Sequence, residues 1–294
     1  MATAIDTVLV TGATGRIGPR VVDRLSQAYR VVGNSRSGGS VGDEHLRGDM
    51  TDPGDAYGVL ARSGADAVVH LGTLSNPDET PGHVTFRSTV DSTYHVLEAS
   101  EALGIESVVL ASSMSALGAG FDPDPVRLSY LPVDEDHPLT PRDPYGLAKQ
   151  VMEVTAEGIG RRAEAPTITS LRVPWMPREE EVRAAFVERD RSLAAVRDHE
   201  SYHAIRNTLF AYLHATDAAD LVASAVAADH AGHEVVWAAA ADTTVDLPTA
   251  ELVAAEYPDV ETTTEFEGYE SLVSTAKARE LLGWEPERGW RGRE

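Results

Sequence analysis

A short β-branched run, Ile5 to Val10, passes without a spacer into Thr11-Gly12-Ala13-Thr14-Gly15-Arg16-Ile17-Gly18. Pro19 to Gln27 then carries Val21, Val22 and Leu25 at helical spacing. A buried strand in this order must end at a turn tight enough to need glycine, and a helix must begin with its free N–H groups facing the strand end. Glycines at 12, 15 and 18 let the chain turn sharply, let an anionic group reach the backbone, and let the helix lie close on a sheet. The pattern predicts a cradle for a pyrophosphate. A glycine-rich turn that holds no ligand is the plain alternative.

The remainder repeats the alternation. Strands are predicted at Thr7 to Val10, Arg30 to Asn34, Ala67 to Leu71, Ser107 to Ala111, Thr167 to Val173 and Glu234 to Ala238. Helices are predicted at Pro19 to Gln27, Asp55 to Ser63, Thr85 to Leu103, Tyr145 to Arg162 and Ala218 to Ala228. Such alternation implies an α/β fold with a doubly wound parallel sheet, covered on both faces by helices, whose ligands bind beyond the carboxyl ends of the strands. After Leu171-Arg172-Val173 the pattern loosens. Residues 1–173, with about 214–238, are therefore expected to form the nucleotide-binding domain, and 174–213 with 239–294 a smaller lobe over the substrate. Asp122-Pro123-Asp124-Pro125 reads as a stiff acidic loop ahead of the helix at Tyr145.

Only two lysines, Lys149 and Lys277, occur among 294 residues, and the first lies four residues after Tyr145 in Pro144-Tyr145-Gly146-Leu147-Ala148-Lys149. A chain that otherwise prefers arginine keeps here a compact ammonium, a group arginine does not replace. On a helix the two residues share one face. The cation is expected to lower the phenol pKa, which makes Tyr145 a candidate acid/base. A tyrosine and a lysine at this spacing also occur by chance on helix surfaces.

Taken together, Thr-Gly-x-x-Gly-x-x-Gly, Asp49 in Arg47-Gly48-Asp49-Met50, Ser112-Ser113 after an apolar strand, and Tyr-x-x-x-Lys resemble the extended short-chain dehydrogenase/reductases, the NAD-dependent epimerase/dehydratase group. Lys277-Ala278-Arg279-Glu280-Leu281-Leu282-Gly283-Trp284-Glu285-Pro286 is similar to that group's C-terminal signature, so the resemblance spans nearly the whole chain. It implies a Rossmann sheet and a dinucleotide held by Gly12, Thr14, Gly15, Arg16, Ile17, Gly18, Ser35, Arg36, Asp49, Met50, Leu71, Gly72, Tyr145 and Lys149. It also implies a catalytic Ser113, Tyr145 and Lys149. Gly33-Asn34-Ser35-Arg36-Ser37 ends the second strand without a carboxylate, so NADP is the preferred expectation and NAD the other; Arg36 as a solvated residue suits either.

His70-Leu71-Gly72-Thr73-Leu74-Ser75 and Val235-Val236-Trp237-Ala238-Ala239 resemble uronate dehydrogenases, sugar C1 oxidisers of the same superfamily. That resemblance implies substrate contacts at Ser75, Ser113 and Met114. Arg172 and Arg206 are candidates for a sugar carboxylate or hydroxyls, and equally for structural ion pairs. Nucleotide-sugar enzymes usually carry Tyr-Gly-Pro after the arginine, and here Arg172-Val173-Pro174-Trp175-Met176-Pro177 lacks it. Thr89-Val90-Asp91-Ser92-Thr93 also departs from the group's Asn-Val-x-Gly-Thr. The first expectation is hydride transfer from an aldose or uronate. Two alternatives stay open: a nucleotide-sugar epimerase or dehydratase with tightly bound NAD, and a non-catalytic dinucleotide-binding redox sensor.

Composition limits the partners. Forty-seven acidic against 25 basic side chains give a net charge of −22, which repels nucleic acid and anionic membranes. Acid excess with few lysines is expected of a halophilic protein, or of an ordinary acidic protein from a GC-rich genome. No cysteine is present, so disulfides and thiolates are excluded. His230-Ala231-Gly232-His233 lacks a third ligand, and no metal is expected. The chain carries no long apolar run or signal-peptide pattern, so a cytoplasmic enzyme is expected. The helices near Thr85 and Tyr145 are expected to pair across a homodimer, as in the family.

Overall fold

The structure, a computed structural model, describes residues 5–72 and 80–291. In chain order its elements are β1 (Thr7–Thr11), α1 (Gly18–Leu25), β2 (Arg30–Ser35), β3 (Glu44–Arg47), α2 (Pro53–Ser63), β4 (Ala67–His70), α3 (Gly82–Leu103), β5 (Ser107–Ala111), a 3-10 turn (Met114–Leu117), β6 (Tyr130–Leu131), α4 (Pro144–Gly160) and β7 (Thr167–Arg172). There follow α5 (Glu179–Val182), running into a π turn (Arg183–Val187), α6 (Leu193–Arg197), α7 (Tyr202–Asn207), α8 (Ala215–Val226), β8 (His233–Trp237), α9 (Thr249–Glu256), β9 (Glu261–Thr262) and α10 (Ala276–Leu282).

Seven strands form one parallel sheet in the order β3-β2-β1-β4-β5-β7-β8. This is the expected doubly wound Rossmann sheet, and strand period 2 explains its two cores. Val8, Val10, Val69 and Val109 face α1 and α8, where Val21, Val22, Leu25 and Leu221 are buried. Leu9, Val68 and Val108 face the opposite side, packed with Val59 and Leu60 of α2, Val96 and Leu97 of α3 and Met152 of α4. Because β2 and β4 lie on opposite sides of β1, the connections leave the β1 end in opposite directions and open a crevice there.

The expected element bounds hold to within a few residues. The short β3 at the sheet edge was not among the strands read from the sequence, because Glu44-His45-Leu46-Arg47 carries one buried apolar side chain. The region beyond β7 contains a third core around Leu209, Phe210, Trp237, Leu252 and Tyr257, beside the two-stranded parallel sheet of β6 and β9. The expectation that 239–294 belongs wholly to the lobe needs correction, since Ala278 of α10 and Trp284 pack into the main sheet's core. Trp284 Nε1 donates to the Asp217 carbonyl of α8. Among the described residues no helix is long and apolar enough to cross a membrane.

Candidate active site

The carboxyl ends of β1, β2, β4, β5 and β7 open into one cleft of about 700 Å³. The glycine turn forms its floor. Gly12 has a φ of +69°, and a Cβ there would stand 2.8 Å from the Gly72 Cα, so the turn touches the chain leaving β4. A Cβ on Gly18 would meet the Ala13 carbonyl oxygen at 2.4 Å. Ile17, the residue capping α1, provides no side-chain acceptor, which leaves the helix's first N–H groups for an anion. These features fit a pyrophosphate. Thr14, Gly15, Arg16, Ile17 and Gly18 line the same cleft, as do Ser35, Arg36, Asp49, Met50, Leu71 and Gly72.

Several of these side chains have other partners as well. Arg16 reaches across to Glu181 of α5 at 2.8 Å, a half-exposed pair. Asp49 Oδ1 accepts from the Thr51 N–H and hydroxyl, at 3.0 and 2.9 Å, while Asp52 caps α2. Beyond Ser35, a second opening is lined by Arg36, Arg47, Gly48, Asp49 and Asp55. No ion pair is found for Arg36 among the described residues. Arg47 is turned toward it, its Nε donating to the Arg36 carbonyl at 2.9 Å.

The sequence places Tyr145 through its helix start. Asp143 caps α4, Pro144 takes the first turn where no N–H is needed, and Asp143 Oδ1 accepts from the N–H groups of Tyr145 and Gly146, both at 2.9 Å. Ser113 lines the cleft beside Tyr145, close enough for its side chain to favour the ionised phenol. Lys149, one turn on, lies 5.4 Å from the Tyr145 ring centroid and donates to the Ala111 carbonyl at the end of β5. Ser113, Tyr145 and Lys149 thus meet on one wall of the cleft. Phe121, nearly half exposed, stands edge-on to Tyr145 with ring centroids 5.7 Å apart.

The expected lowering of the phenol pKa is not found. Burial pushes Tyr145 up to about 12, against the opposing Ser113 side chain, and the Asp143 charge adds to the rise. The same burial holds Lys149 down at about 7, with Glu153 opposing. Withdrawal from water therefore outweighs the lysine's influence on the phenol. His70, fully buried at the end of β4, is pushed down to about 3 by burial and then by the Lys149 charge. Its Nδ1 is bonded with the Thr11 hydroxyl at 2.7 Å and its Nε2 with Ser92 at 3.3 Å.

Other expected contacts are not brought to this cleft. Met114 is buried in the lobe's core, its N–H given to the Val173 carbonyl, so only its neighbour Ser113 faces the site. Arg206 bonds Glu256 at 3.1 Å and stacks on Tyr257, a structural role inside the lobe. Arg172 is buried against Glu153. Ser75 lies outside the described residues. Thr89, at the position of the family asparagine, has a buried hydroxyl with no partner among the described residues. His230 and His233 are partly buried rather than free in a loop; their Nε2 atoms are bonded with Thr169 and Ser170 at 2.9 and 2.8 Å. No cluster of three metal-ligating side chains occurs among the described residues. Sequence reasoning missed Asn34, whose amide bridges the Leu46 and Gly48 carbonyls at the cleft edge. It also missed the apolar wall of Pro174, Met176, Leu221 and Val222.

The sequence profile of the NAD dependent epimerase/dehydratase family matches residues 8–240. UDP-glucose 4-epimerase 2 of Oryza sativa subsp. japonica is 31% identical over 176 residues, 53% of this chain and 41% of that protein. The NAD-dependent glucose-6-phosphate dehydrogenase of Haloferax volcanii is 28% identical over 162 residues, 50% of this chain and 60% of its own length. The chain thus matches about half the length of these curated relatives. A solved structure of a mutated uronate dehydrogenase shares the fold with a TM-score of 0.65 at 21% identity, over 98% of this chain and 83% of that one.

Proposed function

Because the chain belongs to the NAD dependent epimerase/dehydratase family, we propose that it is a nicotinamide-dinucleotide oxidoreductase that oxidises a free sugar, an aldose or uronate, at C1 to the lactone. The observation that carries this reading is the convergence of Ser113, Tyr145 and Lys149 on the cleft floored by the glycine turn. The turn and the α1 N-terminus would hold the pyrophosphate, and Tyr145 and Lys149 the nicotinamide ribose. When bound, the dinucleotide supplies the hydride acceptor. Ser113 orients the substrate hydroxyl, and Tyr145 takes its proton in the minor phenolate form that burial disfavours, while the carbon gives up hydride to the dinucleotide. Lys149, as ammonium, favours that phenolate. The missing Tyr-Gly-Pro after Arg172 supports a free sugar over a nucleotide sugar, as does the likeness to the Haloferax volcanii enzyme.

A second reading is nucleotide-sugar epimerisation, favoured by the rice relative. The two differ in net cofactor reduction. Purified protein is followed by absorbance of the reduced cofactor in molar KCl, with NADP and NAD against aldoses, uronates and UDP-sugars. Reduction with a free sugar, lost by roughly 10²–10⁴-fold in Tyr145→Phe with dinucleotide binding kept, supports the dehydrogenase. An interconverted UDP-sugar with no reduced cofactor supports the epimerase.

NADP is the proposed preference, because Arg36 and Arg47 border the second opening and no carboxylate ends β2. Arg36→Ala then raises KM for NADP and leaves KM for NAD nearly unchanged. We also propose a homodimer through α3 and α4, whose Val84, Tyr94, Leu147 and Val154 are exposed. Sedimentation that shows only monomer in molar salt removes the dimer.

A further inference from the structure

Helix α4 carries a third polar residue on the face of Tyr145 and Lys149. Glu153 lies one turn beyond the lysine and is 6% exposed. Its Oε1 accepts from the Ser112 hydroxyl at 2.5 Å and from Arg172 Nε at 3.0 Å, and its Oε2 accepts from Arg172 Nη2 at 2.7 Å. Arg172 is itself buried and lies 5.1 Å from the Trp237 ring. One carboxylate therefore ties together α4, the residue before Ser113 at the end of β5, and the end of β7. Those are the elements whose relative placement sets the Ser113, Tyr145 and Lys149 constellation.

A buried pair of this kind is an expensive way to gain stability alone, since desolvation of two ions offsets most of their attraction. We propose that Glu153 is a positioning residue: it fixes α4 against the ends of β5 and β7 and supplies the negative charge that keeps Lys149 protonated beside Tyr145. Arg172 and Ser112 hold the carboxylate in place. This rests on the reading of Lys149 as part of the reactive group only for its consequence in turnover, and the geometry is independent of substrate.

Several charged and titratable groups among the described residues surround Lys149. Tyr145 and Glu153 flank it on α4, His70 faces it from β4, and Arg172 stands behind Glu153 on β7. His233 and Glu157 lie on the far side of that pair. His70 stays neutral above about pH 3, and Tyr145 stays protonated below about 12. In the neutral range Glu153 is thus the group among these whose charge favours the ammonium.

The two-lysine composition makes a direct test simple. Protein grown with [13Cε]lysine gives two lysine signals, and Lys277→Arg assigns them. The Lys149 signal is titrated without cofactor or substrate in the parent protein, in Glu153→Gln, and in the Glu153→Gln/Arg172→Met double variant. The double variant removes the arginine that the single change leaves buried and unpaired. The expected result is a Lys149 midpoint lowered by about one to two pH units in Glu153→Gln, a ten- to hundredfold loss of proton affinity, for side chains one helical turn apart with Cβ atoms about 5–6 Å from each other. A smaller fall in the same direction is expected in the double variant. Should Glu153→Gln fail to fold, the double variant alone decides. A midpoint unchanged or raised in the folded variants overturns the proposal, and because no sugar is present, it does so without touching the reading of the reaction.

Discussion

Gly12 and Gly58 invite the same substitution with opposite results. At Gly12 the backbone has a φ of +69°, and a Cβ would press 2.8 Å from both the Gly72 N and Cα. The left-handed conformation costs a non-glycine residue about 1–2 kcal/mol, and forcing a methyl into packed backbone about 1–3 kcal/mol more. Gly12→Ala is therefore expected to lose roughly 2–5 kcal/mol, a large share of a typical domain's ~5–15 kcal/mol. Gly58 lies inside α2 with open space where its Cβ would stand. There alanine gains about 0.5–1 kcal/mol of helix propensity. Urea unfolding followed by the fluorescence of Trp175, Trp237, Trp284 and Trp290 reads both changes as shifts of midpoint at constant slope. Dinucleotide binding should fall with Gly12→Ala and stay unchanged with Gly58→Ala. If the two variants unfold within about 1 kcal/mol of each other, the close approach of β1 and β4 is not what requires glycine in this turn.

Lys149→Met should stabilise the fold near neutral pH. The folded value, about 7, lies below the ordinary 10.5, so the unfolded chain binds the proton more tightly and stability rises with pH between those values. Removing a 1% exposed ammonium relieves a penalty on the order of 5 kcal/mol below pH 7; a variant less stable than its parent at pH 6 would falsify this. His70 and His233 are held down at about 3 and about 4, so the unfolded chain takes up protons first as pH falls from 6.5. Stability should then drop by about 1.4 kcal/mol per pH unit for each histidine, and His70→Asn should flatten that slope in acid melts. With a net charge of −22, unfolding midpoints should rise from tenth-molar to molar KCl, as the Debye length falls from about 10 to about 3 Å; midpoints that stay level remove the halophilic expectation.

The sheet was legible because its signals are local. Val8 and Val10 share one face with Leu9 on the other, and α1 follows within one glycine turn, so period and punctuation suffice to predict a parallel layer. The lobe is built differently. Its core joins Met114 and Leu117 near β5, Trp237 from β8, Leu252 from α9 and Tyr257 just past its end, residues scattered over much of the chain. Its helices α5, α6 and α7 are four to six residues long, too short for a periodicity to stand out. Trp284 returning to the main sheet could not be read from spacing at all, since its partner is a carbonyl of α8.

The site divides along the same line. The glycine turn and the tyrosine–lysine pair are spacings along one segment, and so they are visible in sequence. Whether an arginine meets a ligand or a carboxylate depends on what the fold brings opposite it: Glu153 for Arg172, Glu256 for Arg206. The error over Tyr145 has the same origin. A neighbouring cation can be counted from sequence, whereas the loss of water around a side chain only 8% exposed cannot, and burial is the larger influence on this phenol. Glu153 stands between the two cases, because its place two turns after Tyr145 was on view throughout. What gives it meaning is the convergence of Ser112 and Arg172 from two other strands, which turns a helical spacing into a fixed charge beside the lysine.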